Sequence, residues 1–215
     1  MSMSKNIARL AVTAGLTAAL SFGGVMAPVT MAFAEGTTAT TNSIKINKNN
    51  ENGDVTYKAY QIFKADVVDG TDGSGKVVSN IDWASPKAKD AVLNYLSNVP
   101  KSDITLSSSA QAAAKYLTDH VDGTGETTPI ENDNLFNGLA KAVVKNVDQT
   151  GSSFTTDDVF KPQDGNGNAL QGYYLFVTDE STLSTDQEVK KNTGTSPIFA
   201  VVGDALVTVT EKTSI

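Results

Sequence analysis

His120 is the only histidine in the chain, and there is no cysteine. With no thiol and no G-x-S-x-G turn to supply a hydroxyl nucleophile, histidine-assisted acyl transfer has nothing to work with. His120 falls at the end of a predicted helix, where an imidazole ordinarily caps the last carbonyls or faces water. The run Asp164-Gly165-Asn166-Gly167-Asn168 opens like a calcium loop. It then departs from one, because Ala169 stands where the loop needs glycine and Leu175 where it needs a bidentate Glu. A solvated turn is the expectation. The 24 Asp and Glu residues guarantee that some carboxylates lie about 5–10 Å apart, so spacing alone does not make a glycosidase. No phosphate-cradling glycine motif and no N-glycosylation sequon occurs. Trp83 and the tyrosines could line a sugar groove, although aromatics buried between sheet and helix are commoner. These residues point to no enzyme, no metal and no cofactor.

The elements that carry them begin after a secretory signal. Lys5 and Arg9 precede an apolar run from Leu10 to about Met31, and Ala32-Phe33-Ala34 presents small residues where a signal peptidase reads. Cleavage is expected between Ala34 and Glu35, giving an exported chain. Gly23, Gly24 and Pro28 interrupt the run, which argues against a retained membrane span. Residues 1–34 also hold the only arginine and all four Met. Losing two basic and no acidic residues moves the formal charge from −7 to −9. An acidic chain without arginine offers no phosphate-binding patch, so no nucleic-acid partner is expected. Without cysteine, stability must come from a core or from another covalent device. The length suits one domain, expected over 43–215 behind a flexible leader at 35–42.

Within that domain, Ser43–Lys48 alternates as a first strand, and Val55–Val68 carries Tyr57, Tyr60, Ile62 and Phe63 in a second. Asp69–Gly75 reads as a loop. Ser85-Pro86 is a helix start, a second helix is expected over Ser108–His120, and Asp133 reads as the cap of a third. After Val147 strands return at Gly172–Thr178, Pro197–Val202 and Ala205–Thr210. On the last strand Ala205, Val207 and Val209 share the apolar face, which puts Thr208, Thr210 and Lys212 toward solvent. The expected class is mainly β: a sandwich of immunoglobulin type with about three helices inserted in one long connection.

Three segments resemble one family. Thr56–Asp66 (TYKAYQIFKAD), Gly172–Glu180 (GYYLFVTDE) and Ser196–Lys212 (SPIFAVVGDALVTVTEK) are similar, in order and spacing, to the N-terminal domain of Gram-positive sortase-assembled backbone pilins. The resemblance covers essentially the whole mature chain. It implies a structural, non-enzymatic subunit of a cell-surface pilus anchored in the cell wall. Its partners would be neighbouring pilin subunits and a pilin-specific sortase. The enzyme makes an acyl intermediate that a lysine of the next subunit resolves into an intermolecular isopeptide bond. Val207-Thr208-Val209-Thr210-Glu211-Lys212 matches the family's V-x-V-Y-P-K in spacing, with Thr210 and Glu211 where the family has Tyr and Pro. The resemblance therefore makes Lys212 the acceptor candidate, with Lys161, ahead of Pro162, second.

Many pilin domains also contain an internal Lys–Asn bond. Lys48 is the donor candidate, since it shares parity with Ile44 and Ile46. It is not expected to be used: no asparagine occurs after Asn192, and the GYYLFVT strand has no carboxylate before Asp179. A complete backbone pilin continues into further domains, a sorting motif and an anchor, so the resemblance implies a fragment, a truncated form or a degenerate gene product. The alternative reading is an accessory pilin or adhesin binding host glycan or matrix. A secreted enzyme ranks below both.

Overall fold

The computed structural model describes residues 40–49, 53–71, 75–121, 130–182 and 197–211. The signal cleavage site at Ala34 and Glu35, most of the leader, and Lys212 lie outside these residues.

The described residues are strand-rich, with three helices in one connection. Strands β1 (Ile44–Asn47), β2 (Thr56–Asp69) and β3 (Lys76–Trp83) precede helices α1 (Pro86–Leu96), α2 (Ala110–Asp119) and α3 (Ile130–Asn146). Then follow β4 (Phe154–Thr155), β5 (Val159–Phe160), β6 (Gly172–Thr178), β7 (Ile198–Val202) and β8 (Val207–Thr210). One sheet runs β3-β2-β6-β7, with β4 also paired to β2, and the other runs β5-β1-β8. Pairing is antiparallel except between β1 and β8, the first and last strands, which are parallel with Ile44 opposite Val207.

Every residue of β6 except Val177 is buried, and β7 is buried throughout. Alternation is absent because this sheet is covered on both faces. On one face Tyr174 and Phe176 of β6 meet Phe160 of β5 edge-on, with ring centroids 6.3 and 6.0 Å apart. On the other face Tyr173 stacks on Phe199 at 5.6 Å, and Phe199 meets Phe136 of α3 at 5.9 Å. The result is three layers: small sheet, large sheet, helices. Fully burying one such aromatic contributes about 1.5–3 kcal/mol, so these layers account for much of the cohesion.

β2 departs from two-residue periodicity, with Ala59 and Tyr60 adjacent and both buried, and again Ile62 and Phe63. Its register against β6 slips between Gln61 and Phe63, so a bulge lets consecutive apolar side chains reach both covered faces. Gly172 makes the close approach of β6 to β2 possible. Its φ is +152°, and a Cβ there would stand 2.0 Å from the Phe63 carbonyl oxygen.

The helix starts follow their caps. Ser85 Oγ accepts from Ala88 N–H at 3.0 Å, with Pro86 at the first position. α2 starts at Ala110 with Ser109 as its cap, two residues after the expected start at Ser108, whose hydroxyl accepts from Thr105 N–H at 2.9 Å. α3 begins at Ile130, so Asp133 lies inside the helix and does not cap it. Strands β3, β4 and β5 had no counterpart in the sequence reading. β3 is an edge strand whose Ser79, Asn80 and Asp82 break its apolar pattern, and the other two are only two residues long.

Candidate functional site

The end of β8 is held by a buried acid. Val207 and Val209 are buried, Thr210 is exposed, and Glu211 is buried again at 2% exposure. Its carboxylate accepts from the Tyr57 hydroxyl at 2.8 Å and from Asn49 N–H at 2.9 Å. Its own N–H donates to Asn47 O at 3.1 Å and carries the parallel ladder one step past the strand. A buried carboxylate is tolerated only when hydrogen-bonded, and here the donors come from β2 and from the chain just after β1. The strand-parity argument placed Val207, Val209 and Thr210 as found. It did not single out Glu211, although the same parity puts that residue on the inner face.

Of the lysines singled out from the sequence, Lys48 and Lys161 fall within the described residues. β1 stops at Asn47, so Lys48 is half-buried: its ammonium pairs with Asp54 at 2.8 Å and its N–H donates to Asp157 at 3.0 Å. The hydrogen bond to Asp54 raises its pKa, which keeps the amine protonated. Lys161 is exposed, one residue past β5, itself the neighbour of β1. Lys212 follows Glu211 directly in sequence and is outside the described residues.

A second polar cluster closes the opposite end of β8, and sequence reasoning missed it. Lys76, at the start of β3, is 2% exposed. Its ammonium donates to Asp69 at 2.5 Å and to the Ala205 carbonyl at 2.6 Å. Asp69 also accepts from Ala205 N–H, and Asp204 accepts from Asp69 N–H at 2.8 Å. Asn42 and Gln171 extend the cluster: Asn42 Oδ1 takes Asp204 N–H at 2.9 Å and Gln171 Nε2 at 2.7 Å. Burial pushes the Lys76 pKa down, and the nearby Asp69 and Asp204 oppose that shift. A signal was present in the sequence, because Asp69 and Lys76 flank the glycine-rich loop and become a cross-strand pair once β3 forms.

The helical layer holds a cleft of about 1080 Å³ whose lining includes Tyr95, Asn98, Lys101, Asp103, Tyr116 and His120. His120 is the C-cap of α2; its Nδ1 lies 2.7 Å from Tyr116 O and its ring stacks on Tyr116 at 4.2 Å. Tyr95 donates to Leu135 O at 2.8 Å and ties α1 to α3. Trp83 is half-buried and packs on Phe63 at 4.9 Å, away from the cleft lining. The Asp164 turn is self-contained: one carboxylate oxygen accepts from Asn166 and Asn168 N–H at 2.8 and 2.9 Å. Those donors hold its pKa below the usual carboxylate value. Among the described residues no group of three His, Asp or Glu is placed to hold a metal ion, and no helix is long and apolar enough to cross a membrane.

No known protein-family model matches the chain, and no curated protein matches it. The functional reading therefore rests on the residues and the fold.

Proposed function

We propose that this chain is the N-terminal, immunoglobulin-like domain of a pilus shaft subunit, exported to the cell surface and joined to its neighbours through Lys212. The supporting observation is the alternation along β8. Val207, Val209 and Glu211 are buried, Thr208 is half-buried and Thr210 is exposed, and Lys212 shares the parity of the two threonines in sequence. A lysine that must reach a large enzyme belongs in that register.

The test places this domain at the head of a full-length subunit co-expressed with a pilin-specific sortase. Lys212→Arg should abolish high-mass ladders, because a guanidinium stays protonated and cannot attack an acyl-enzyme. Lys161→Arg and Lys45→Arg should leave the ladders intact. Undiminished ladders from Lys212→Arg sink the assignment, and loss confined to Lys161→Arg moves it there.

A second reading, an accessory pilin or adhesin, is favoured by the cleft at Tyr95 and Tyr116. Binding of the purified domain to host glycan or matrix, lost in Tyr116→Ala, with unreactive Lys212, would select it.

A further inference from the structure

We propose that the helical layer carries a groove for an uncharged oligosaccharide, with Asn94 and Tyr95 as the shared wall of two lobes. The inference rests on the second reading above, an adhesin, and gives its ligand a chemical class. The cleft of about 1080 Å³ adjoins a cavity of about 430 Å³ between α1 and α3, and both are lined by Asn94 and Tyr95. Small-ligand sites occupy about 300–1,000 Å³, so the pair has room for more than one sugar ring. The Tyr95 hydroxyl is fixed on Leu135 O at 2.8 Å. Gly138, one turn further along α3, leaves the space for it, since a Cβ there would collide with the Tyr95 ring and hydroxyl. Tyr116 is held as firmly, with its ring on His120 at 4.2 Å and its hydroxyl hydrogen-bonded to Ser102. Aromatic rings fixed before a ligand arrives lose little freedom on binding it.

Charge and polar groups in the lining select the ligand. Lys87 and Asp90 cancel in the smaller lobe, and Lys101 and Asp103 cancel in the larger. A charged ligand therefore finds no excess of the opposite sign in either lobe. A sugar hydroxyl both donates and accepts, and an amide side chain offers it both at one end. Asn94, Asn98 and Asn146 supply three such amides. The Asn94 amide makes no hydrogen bond within the described residues. Asn98 Nδ2 donates to Asn94 O and Asn146 Nδ2 to Ala142 O, each at 2.8 Å, which leaves the other end of each amide open. The C–H face of a pyranose is apolar and packs on an aromatic ring, and Tyr95 and Tyr116 provide rings in the larger lobe. A peptide fits this groove poorly. Extended peptides add to a sheet edge and helical ones enter an apolar groove, whereas these walls are helical and interrupted by amides and charges.

The experiment titrates the mature chain by calorimetry with uncharged gluco-, galacto- and manno-oligosaccharides, with sulfated and sialylated oligosaccharides, and with collagen as a matrix protein. An uncharged tetrasaccharide should bind, about tenfold more tightly than its monosaccharide, because it fills both lobes. Asn94→Ala removes an exposed amide that both lobes share, and should weaken binding about five- to tenfold while leaving the melting temperature unchanged. Tyr116→Ala should abolish binding. Lys115→Ala, beside Tyr116 on α2 but outside the lining, should bind as the parent does. If Tyr116→Ala does not fold, Asn94→Ala alone decides. Uncharged sugars that fail to bind, or that bind equally well to Asn94→Ala, overturn the inference, as does a preference for the anionic sugars. Collagen binding lost in Tyr116→Ala, without sugar binding, overturns the sugar groove and leaves the adhesin reading standing. Binding to none of these probes removes both.

Discussion

Tyr57 and Glu211, 154 residues apart in sequence, meet in a 2.8 Å hydrogen bond at the buried end of β8. The phenol comes from the long strand of the large sheet and the carboxylate from the residue after the last strand of the small one. Their contact joins the two sheets through polar groups where the aromatic layer ends.

That contact makes a stability prediction. Glu211→Ala leaves the Tyr57 hydroxyl and Asn49 N–H without this acceptor, and should destabilise the fold by about 1–3 kcal/mol. Tyr57→Phe alone should cost less, since it removes a donor and leaves the carboxylate its backbone partner. Denaturant unfolding of the two single variants and the double variant should show non-additivity. Strict additivity would mean that the pair does not interact in solution.

Lys76 should behave differently from the surface lysines. Lys76→Ala removes a buried cation from Asp69 and Ala205 O and opens space, at a cost of about 3 kcal/mol or more. Lys76→Met keeps the volume and should recover part of it. Lys115 forms an exposed pair with Asp119 four residues on, and Lys115→Ala should stay within about 0.5 kcal/mol. Equal melting temperatures for the Lys76 and Lys115 variants would show that the buried cluster contributes nothing.

Gly172 tests the close approach of β6 to β2. Gly172→Ala brings a methyl group to 2.0 Å from a backbone oxygen at a φ of +152°, so a loss of about 2 kcal/mol or more is expected. Gly165→Ala, where nothing lies within 4 Å of the new carbon, should be neutral to about 0.5 kcal/mol. Thermal unfolding monitored by circular dichroism would separate the two.

Alkaline pH should unfold the protein through its core phenols. Burial raises the pKa values of Tyr173 and Tyr174 above the ordinary 10.0. Above that pH the unfolded chain therefore releases these protons first, and the native state still holds them. Stability supplied by the neutral phenols is complete below pH 10 and declines as pH rises toward the native values. Phenolate absorbance should appear in step with loss of circular dichroism. Full phenolate absorbance in a still-folded protein would contradict the burial.

The covalent state is open to a mass measurement. No asparagine follows Asn192, and Lys48 is a protonated ion-pair partner of Asp54. Residues 35–215 should therefore weigh what the unmodified sequence predicts. A deficit of about 17 Da, one ammonia, would reveal an internal Lys–Asn bond.

Patterns set by near neighbours were legible in the sequence. Ser85-Pro86 specifies a helix start through a local hydrogen bond and a fixed φ, and α1 begins there. The apolar runs at Gly172–Thr178 and Pro197–Val202 announce buried strands because burying such side chains favours β structure wherever they lie. Two-residue parity on β8 likewise places Val207 and Val209 inward. What depended on distant partners was not legible. β3 forms from a polar-interrupted segment because β2 offers it a ladder, and Lys76 becomes buried because that ladder carries it beneath Ala205. The parity of β8 puts Glu211 on the inner face, but an acid can stay there only because Tyr57 and Asn49 arrive from elsewhere in the chain. A charge can be buried only where the fold supplies donors for it, and which donors come together is a property of the tertiary structure alone.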